Sequence, residues 1–220
     1  MNNTHFPMPD ASAEVETVIL ADGEYPSDGV PAALLAGARY VVCCDGAADA
    51  YTARGGRPSA IVGDGDSVSD GTARRFRDIL FLNPDQETND LTKAFSFCLS
   101  RGRTRITILG ATGGREDHAI GNISLLAEYA RQAEVQLVTP YGVFNAAEGT
   151  ATFDSMPRQQ VSLFTIRPGT RVAVRGLRYI PAAEGFRSWW CGTLNEAEGD
   201  TFGIETDGPV LVFRTFERKS

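Results

Sequence analysis

The stretch Ala60-Ile-Val-Gly-Asp-Gly-Asp-Ser67 decides the fold, because it joins a short apolar run directly to an acidic turn. The run has the character of a strand covered on both faces, and a helical pattern follows around residues 72–77. The same order occurs earlier, where Tyr40-Val-Val-Cys-Cys44 leads into Asp45-Gly46 with a helical pattern behind it. Repetition of strand, turn and helix predicts parallel strands joined by helices.

This alternation extends through the first two thirds of the chain. Further strands are predicted at residues 17–21, 79–82, 105–109 and 135–138. Further helices are predicted at residues 30–38, 47–54, 91–99 and 118–133. The fold class that follows is α/β, with a doubly wound, mainly parallel, Rossmann-like sheet whose ligands bind beyond the carboxyl ends of the strands.

The character of the chain changes after about residue 139, where helical periodicity gives way to short β-rich runs separated by glycine and proline. These runs are residues 150–153, 161–166, 171–174, 201–206 and 210–213. We predict an α/β domain at 1–143 and a small all-β sandwich domain at 144–220. Because the second domain is small, we expect it to pack against the first domain or against another copy of the chain.

Composition excludes several function classes. The 220 residues carry a formal net charge of -7, which argues against binding nucleic acid through a basic face. Two histidines and no Cys-x-x-Cys pair disfavour a zinc site, and cysteines in apolar stretches fit a reducing cytoplasm. We expect no membrane segment, and we expect the N-terminal residues to form a short mobile leader.

Three acidic turns follow predicted strands: Asp45-Gly46, Gly63-Asp-Gly-Asp66 and Asp85-Gln-Glu-Thr-Asn-Asp-Leu-Thr-Lys93. If the strands are parallel neighbours, four or more carboxylates meet at one sheet edge and need a counter-charge. The candidate ligands are all oxygen atoms, which favours Mg²⁺. Each turn alone also fits a structural role, since Thr88 or Asn89 can cap a helix, and Lys93 fits either a phosphate contact or a solvated side chain.

Two other segments carry candidate functional groups. Gly110-Ala-Thr-Gly-Gly-Arg-Glu-Asp-His118 follows a predicted strand and begins a helix, as phosphate-binding turns do, although its glycine spacing matches neither common phosphate-binding motif. In it, Arg115 suits a phosphate, while His118 also fits a structural role. Ser188-Trp-Trp-Cys-Gly192 holds both tryptophans, which fit either the β-domain core or an aromatic wall for a flat heteroaromatic ligand.

Taken in order, the three acidic turns and the glycine-rich turn resemble the signature blocks of the thiamine pyrophosphokinase family. The resemblance implies a thiamine diphosphokinase, a transferase that moves the pyrophosphoryl group of ATP to the hydroxyl of thiamine and yields thiamine diphosphate and AMP. It implies Mg²⁺ as the cofactor, with ATP as co-substrate. It also implies a homodimer in which thiamine binds between the first domain of one subunit and the β-domain of the other.

The resemblance also implies residue roles. Catalytic roles go to Asp64, Asp66 and Asp90, which with Asp45 are the implied metal ligands. Nucleotide contacts are implied for Gln86, Asn89, Gly110, Gly113, Gly114, Arg115 and Asp117. Thiamine contacts are assigned to Asp45, Tyr179, Trp190, Thr193 and Asn195. The chain departs from the family pattern at Leu194, where a serine is usual, and in its Trp189-Trp190 pair.

Two alternatives stay open at this point. One is a Mg²⁺-dependent nucleotide phosphohydrolase, in which water takes the place of the alcohol as nucleophile. The other is a non-catalytic sensor of a nucleotide or of thiamine. AMP formation that depends on added thiamine separates the kinase from both.

Overall fold

The computed structural model describes residues 3–219. Its strands, in chain order, are β1 (Thr4–Phe6), β2 (Val15–Leu20), β3 (Ala38–Cys44), β4 (Ala60–Gly63), β5 (Leu80–Leu82), β6 (Arg105–Leu109), β7 (Glu134–Thr139), β8 (Gly142–Asp154), β9 (Gln159–Thr165), β10 (Val172–Arg175), β11 (Gly192–Glu196) and β12 (Thr201–Arg218). Its α-helices are α1 (Gly29–Ala36), α2 (Ala47–Ala53), α3 (Asp70–Arg75), α4 (Asp90–Ser100) and α5 (Glu116–Tyr129).

The described residues form two compact units. The α/β unit comprises Asp10–Ile123 and Gln132–Pro140, and the β unit comprises the other described residues. The domain boundary expected after residue 143 stays a prediction. No helix within residues 3–219 has the length and apolar character needed to cross a membrane.

Six parallel strands form the sheet of the α/β unit, in the spatial order β7-β6-β2-β3-β4-β5. Ile19, Val42 and Ile61 lie in its central strands and are fully buried, as continuous apolar runs in a covered sheet should be. The predicted α/β class and its parallel strands are therefore confirmed. Coverage of both faces by helices, the doubly wound part of the expectation, stays a prediction.

The β unit is built around two long antiparallel strands, β8 and β12, whose register shifts between Thr206 and Val210. Before the shift, β12 also pairs with β10; after it, β12 also pairs with β9, and β9 pairs with β11. Strands from both halves contribute to one hydrophobic core, which includes Phe153, Leu163, Phe202 and Val212. A C-terminal β-rich region is confirmed, so the strands of the whole chain are of mixed direction.

One expectation about this unit was incomplete and another was wrong. Residues 150–153 form a strand as predicted, but that strand already begins at Gly142. Its first part was missed because residues 142–147 are all buried and show no alternation between polar and apolar side chains. The expected mobile leader is incorrect for Thr4–Phe6, which pairs in parallel with β8. The ring of Phe6 stacks on that of Phe153, with centroids 4.8 Å apart.

The cysteines behave as the sequence indicates. Cys43, Cys44 and Cys98 are buried and Cys191 is exposed, and all four are free thiols. Burial raises the pKa of Cys43 and that of Cys98 to about 12, so these thiols are neutral hydrophobic groups at neutral pH.

Candidate active site

The end of β3 places a buried carboxylate at the carboxyl edge of the parallel sheet. Asp45 directly follows β3, has a positive φ of 24° and is only 2% exposed. The N–H of Ser67 donates to its Oδ2 at 2.9 Å, whereas its Oδ1 is buried without a hydrogen-bond partner among the described residues. A buried carboxylate oxygen without a donor is costly, so a water molecule or a cation placed beside this atom would stabilise it.

The neighbouring strand β4 brings two more carboxylates to the same place. One oxygen each of Asp45, Asp64 and Asp66 lie within 4.8 Å of one another. Gly63 permits this approach, since a Cβ at that position would stand 2.6 Å from the Cβ of Asp45. The turn is further ordered by the N–H of Asp66, which donates to Asp64 Oδ1 at 3.3 Å, and by Ser67 Oγ, which donates to Asp66 Oδ1 at 2.8 Å.

The fourth predicted acid, Asp90, lies at the start of α4 and is not part of the cluster of Asp45, Asp64 and Asp66. Asn89 caps the helix by accepting a hydrogen bond from the N–H of Thr92, and Asp90 is the first helical residue. Lys93 Nζ lies 3.0 Å from Asp90 Oδ1 and 3.4 Å from Asp64 Oδ2, so it joins the helix to the turn after β4. Its side chain is 2% exposed, so the interpretation of Lys93 as a solvated residue is wrong.

We refer to Asp45, Asp64, Asp66 and Asp90 together as the acidic site. Its carboxylates differ in their affinity for protons. Burial is the main cause that raises the pKa of Asp45. The Ser67 N–H acts to lower this pKa, while the nearby negative charges of Asp90, Asp64 and Asp66 raise it further. The pKa of Asp64 is lowered instead, first by the Asp66 N–H and then by Lys93. Crowding of like charge around Asp45 is the condition under which a bound cation is favourable.

Asp22 is a site residue that the sequence analysis missed. It follows β2, the parallel neighbour of β3, and its Oδ2 lies 2.5 Å from the position that a Cβ on Gly46 would take. The pKa of Asp22 is raised, first by loss of hydration around its carboxylate and then by the charges of Asp45, Asp49 and Asp90, although the residue as a whole is exposed. The available signal was Asp22-Gly23 after a predicted strand, the same pattern as Asp45-Gly46.

The glycine-rich turn after β6 packs tightly against the loop that follows β2. Gly110 has a positive φ of 66°, and its carbonyl accepts a hydrogen bond from the N–H of Gly23 at 2.7 Å. Gly113 has a φ of 79°, and a Cβ there would stand 2.4 Å from Glu24. Both glycines are therefore required by contacts within the chain, whereas Gly114 is less restricted, and their contact with a nucleotide stays a prediction.

The remaining nucleotide candidates lie on the surface of the α/β unit. Arg115 and Asp117 form a two-point ion pair, with Nη2–Oδ2 2.5 Å and Nε–Oδ1 3.1 Å, and Arg115 holds the pKa of Asp117 below its usual value. Gln86 is exposed, in the loop before α4, and its Nε2 lies 3.4 Å from the carbonyl of Pro84. Asn89 Nδ2 donates to Asn122 Oδ1 at 3.2 Å, which ties the start of α4 to α5.

The thiamine candidates of the β unit gather around the segment before and within β11. Asn195 is buried, and its side chain makes three hydrogen bonds: Oδ1 accepts from the N–H of Tyr179 and of Glu196, and Nδ2 donates to the carbonyl of Tyr179 at 2.7 Å. Asn195 therefore positions the Tyr179 backbone, while the Tyr179 side chain is exposed. The N–H of Thr193 donates to the carbonyl of Trp190.

Neither tryptophan belongs to the β-unit core. Trp189 and Trp190 are each 58% exposed, so the interpretation of one of them as a core residue is wrong. The Trp189 ring contacts Phe164 at a centroid distance of 5.6 Å. Leu194 is also exposed and has a positive φ of 59°, a conformation that costs a branched residue energy.

Comparison with known proteins identifies this arrangement. Residues 32–139 match the family description "Thiamin pyrophosphokinase, catalytic domain", and residues 142–213 match "Thiamin pyrophosphokinase, substrate-binding domain". Together the two matches cover most of the chain. The chain belongs to the thiamin pyrophosphokinase family. The two matched regions fall on either side of the short connection between β7 and β8.

Individual members of the thiamin pyrophosphokinase family support the fold. The thiamin pyrophosphokinase from Candida albicans aligns with a TM-score of 0.77 at 16% identity, over 98% of this chain and 93% of that one. The thiamine pyrophosphokinase from Bacillus subtilis aligns with a TM-score of 0.74 at 18% identity, over 91% and 99% respectively. Thiamine pyrophosphokinase 1 of Oryza sativa subsp. japonica is 32% identical over 98 residues, which are 40% of this chain but only 37% of that protein.

Proposed function

We propose that this protein is a thiamine diphosphokinase, which transfers the pyrophosphoryl group of ATP to the hydroxyl of thiamine and releases AMP. The observation that carries the proposal is the buried Oδ1 of Asp45, which has no partner among the described residues and belongs to the three-carboxylate cluster. Membership of the thiamin pyrophosphokinase family supports it, because the cluster lies in the region that matches the family's catalytic domain.

The donor set fits Mg²⁺. The side chains that would hold the ion are Asp45, Asp64, Asp66 and Asp90, all of which offer oxygen. When bound, Mg²⁺ supplies positive charge that offsets the negative charge of the ATP phosphates. Asp90 is the residue we assign to the thiamine hydroxyl, which it would orient or deprotonate, since its Oδ1 is held in place by Lys93.

The nucleotide would lie at the carboxyl end of a doubly wound, Rossmann-like parallel sheet, where ligands of such sheets bind. Its proposed contacts are Gln86, Asn89, Gly110, Gly113, Gly114, Arg115 and Asp117. The ion pair of Arg115 with Asp117 is exposed, so the guanidinium has donors that face solvent and suit a phosphate.

Thiamine would contact Asp45 of one subunit of a homodimer and Tyr179, Trp190, Thr193 and Asn195 of the other. Exposed aromatic rings at Tyr179 and Trp190 suit a flat heteroaromatic cation, and Asn195 fixes the backbone that carries Tyr179. We assign ATP and Mg²⁺ binding to residues 1–143, and thiamine binding and dimerisation to residues 144–220. The working enzyme would be a homodimer in the cytoplasm that binds neither nucleic acid nor membrane.

The direct test is to incubate the protein with ATP, Mg²⁺ and thiamine and to follow thiamine diphosphate and AMP by mass spectrometry. We expect the two products in equal amounts, and no AMP when thiamine is omitted. Release of AMP or ADP that does not depend on added thiamine would favour the nucleotide phosphohydrolase. Binding of ATP or thiamine without any product over hours would favour the sensor.

A further inference from the structure

We propose that Lys93 is a positioning residue of the acidic site formed by Asp45, Asp64, Asp66 and Asp90. Its ammonium holds Asp64 and Asp90 together and offsets part of the negative charge of the site, and a divalent cation offsets the rest. The catalytic consequence rests on the proposed kinase function. The consequence for cation binding does not, so the two are tested separately.

The ammonium joins two elements that are distant in sequence. Asp64 belongs to the turn after β4 and Asp90 begins α4, and Lys93 Nζ contacts Oδ2 of the first and Oδ1 of the second. Their side chains are 20% and 30% exposed, against 2% for Lys93. The lysine therefore lies beneath the carboxylates and approaches them from the protein side, which leaves their other side open to ligands.

Lys93 is enclosed where it meets its two partners. Its side chain is 2% exposed, and its Nζ lies 3.0 Å from Asp90 Oδ1 and 3.4 Å from Asp64 Oδ2. An ammonium that is almost completely covered is poorly placed to meet a phosphate arriving from solvent. Its contacts are instead with the carboxylates themselves, and an uncompensated buried charge would be expensive if either partner were missing.

The contact of Lys93 with Asp64 and Asp90 alters the charge balance of the acidic site. Asp45, Asp64, Asp66 and Asp90 would repel one another if the loops held only carboxylates. Lys93 offsets one of these charges and fixes one oxygen on each of two acids before any cation arrives. Removing the ammonium should make the site bind cations more strongly, while the carboxylates lose the orientation that the reaction needs.

Lys93→Met and Lys93→Gln test this proposal, the second variant keeping a polar side chain without the charge. Titration calorimetry with Mg²⁺ alone should give a dissociation constant about tenfold lower than that of the unmodified protein, because one opposing positive charge is gone. The melting temperature should also rise more on addition of Mg²⁺. In the thiamine assay, kcat should fall by about a hundredfold through misplacement of Asp64 and Asp90.

Arg74→Met is the matched control, since it removes the same charge from an exposed position on α3. It should leave Mg²⁺ affinity, the Mg²⁺-dependent change in melting temperature and kcat unchanged. The proposal is wrong if both Lys93 variants lose stability but respond to Mg²⁺ as the unmodified protein does. A raised KM for ATP with unchanged kcat would also overturn it, in favour of a phosphate contact.

Failure of the kinase assay in the unmodified protein would count against the proposed function alone. Tighter Mg²⁺ binding by the Lys93 variants would then still support the positioning role in the acidic site.

Discussion

At the scale of single residues, the geometry of the acidic site predicts that the charges of Asp66 and Asp90 are needed for turnover. Asp66→Asn and Asp90→Asn each keep the size of the side chain but remove a charge, and kcat for thiamine diphosphate formation should fall at least about a hundredfold. Asp66 is exposed, so its replacement should change the free energy of unfolding by less than about 0.5 kcal/mol. Kinetics and urea unfolding on the same preparations measure both effects.

Asp70→Asn serves as the control, because Asp70 is an exposed acid on α3 that belongs neither to the three-carboxylate cluster nor to the ion pairs of Lys93. It should keep its activity. Near-normal turnover in both Asp66→Asn and Asp90→Asn would contradict the assignment of the acids to catalysis.

Sequence patterns predicted part of this residue-level arrangement. Acidic turns after parallel strands must lie at one sheet edge, so the convergence of Asp45, Asp64 and Asp66 could be expected. The environment of each side chain could not, because it depends on packing. No pattern reveals that Asp45 Oδ1 lacks a hydrogen-bond partner within residues 3–219, or that Lys93 is covered.

At the scale of elements, α2 and α3 are connected by one carboxylate. Asp49 on α2 accepts hydrogen bonds from the N–H and the Oγ of Ser69, the N-cap of α3, at 2.8 and 2.5 Å, and from the hydroxyl of Thr72. Asp49→Asn should lower the free energy of unfolding by about 1–2 kcal/mol, because donors aimed at a carboxylate lose a strong acceptor. Urea unfolding at pH 7 measures the difference.

The stabilisation from these hydrogen bonds of Asp49 has a predictable pH dependence. Burial acts to raise the pKa of Asp49, but hydrogen bonds from Ser69 and Thr72 outweigh it and lower the pKa below the ordinary value of 3.8. Its stabilisation is therefore complete above the unfolded-state pKa and is lost as the pH falls through the folded-state pKa. The stability difference between Asp49→Asn and the unmodified protein should shrink in unfolding experiments below about pH 3.5. A difference that stays constant with pH would contradict the role of the charge.

Element positions were largely predictable, since β4 and β6 begin and end where their apolar runs do. The hydrogen bonds between Asp49 and Ser69 were not predictable, because the parallel pairing of β3 with β4 brings these residues together. Likewise, the first half of β8 lacked any alternation that would mark it as a strand.

At the scale of the whole molecule, Arg214 connects the two ends of the chain within the β unit. It is fully buried on β12, and its guanidinium donates to the carbonyls of Phe6, Pro7 and Asp154 and to Asn145 Oδ1. Burial lowers the pKa of Arg214 to about 10, which leaves it charged at neutral pH. No pattern in the sequence indicates these long-range contacts, which is why the N-terminal residues were expected to be mobile.

Arg214→Met should therefore release β1. The substitution leaves three carbonyls and an amide oxygen without their donor, so the free energy of unfolding should fall by about 3 kcal/mol or more. Limited proteolysis followed by mass spectrometry should show faster cleavage near Pro9 than in the unmodified protein. Arg218→Met, at the exposed end of the same strand, should change neither quantity, since Arg218 lies outside this buried network. Equal protection of the N-terminal segment in Arg214→Met and the unmodified protein would show that strand pairing with β8 and the Phe6–Phe153 stack hold β1 without the arginine.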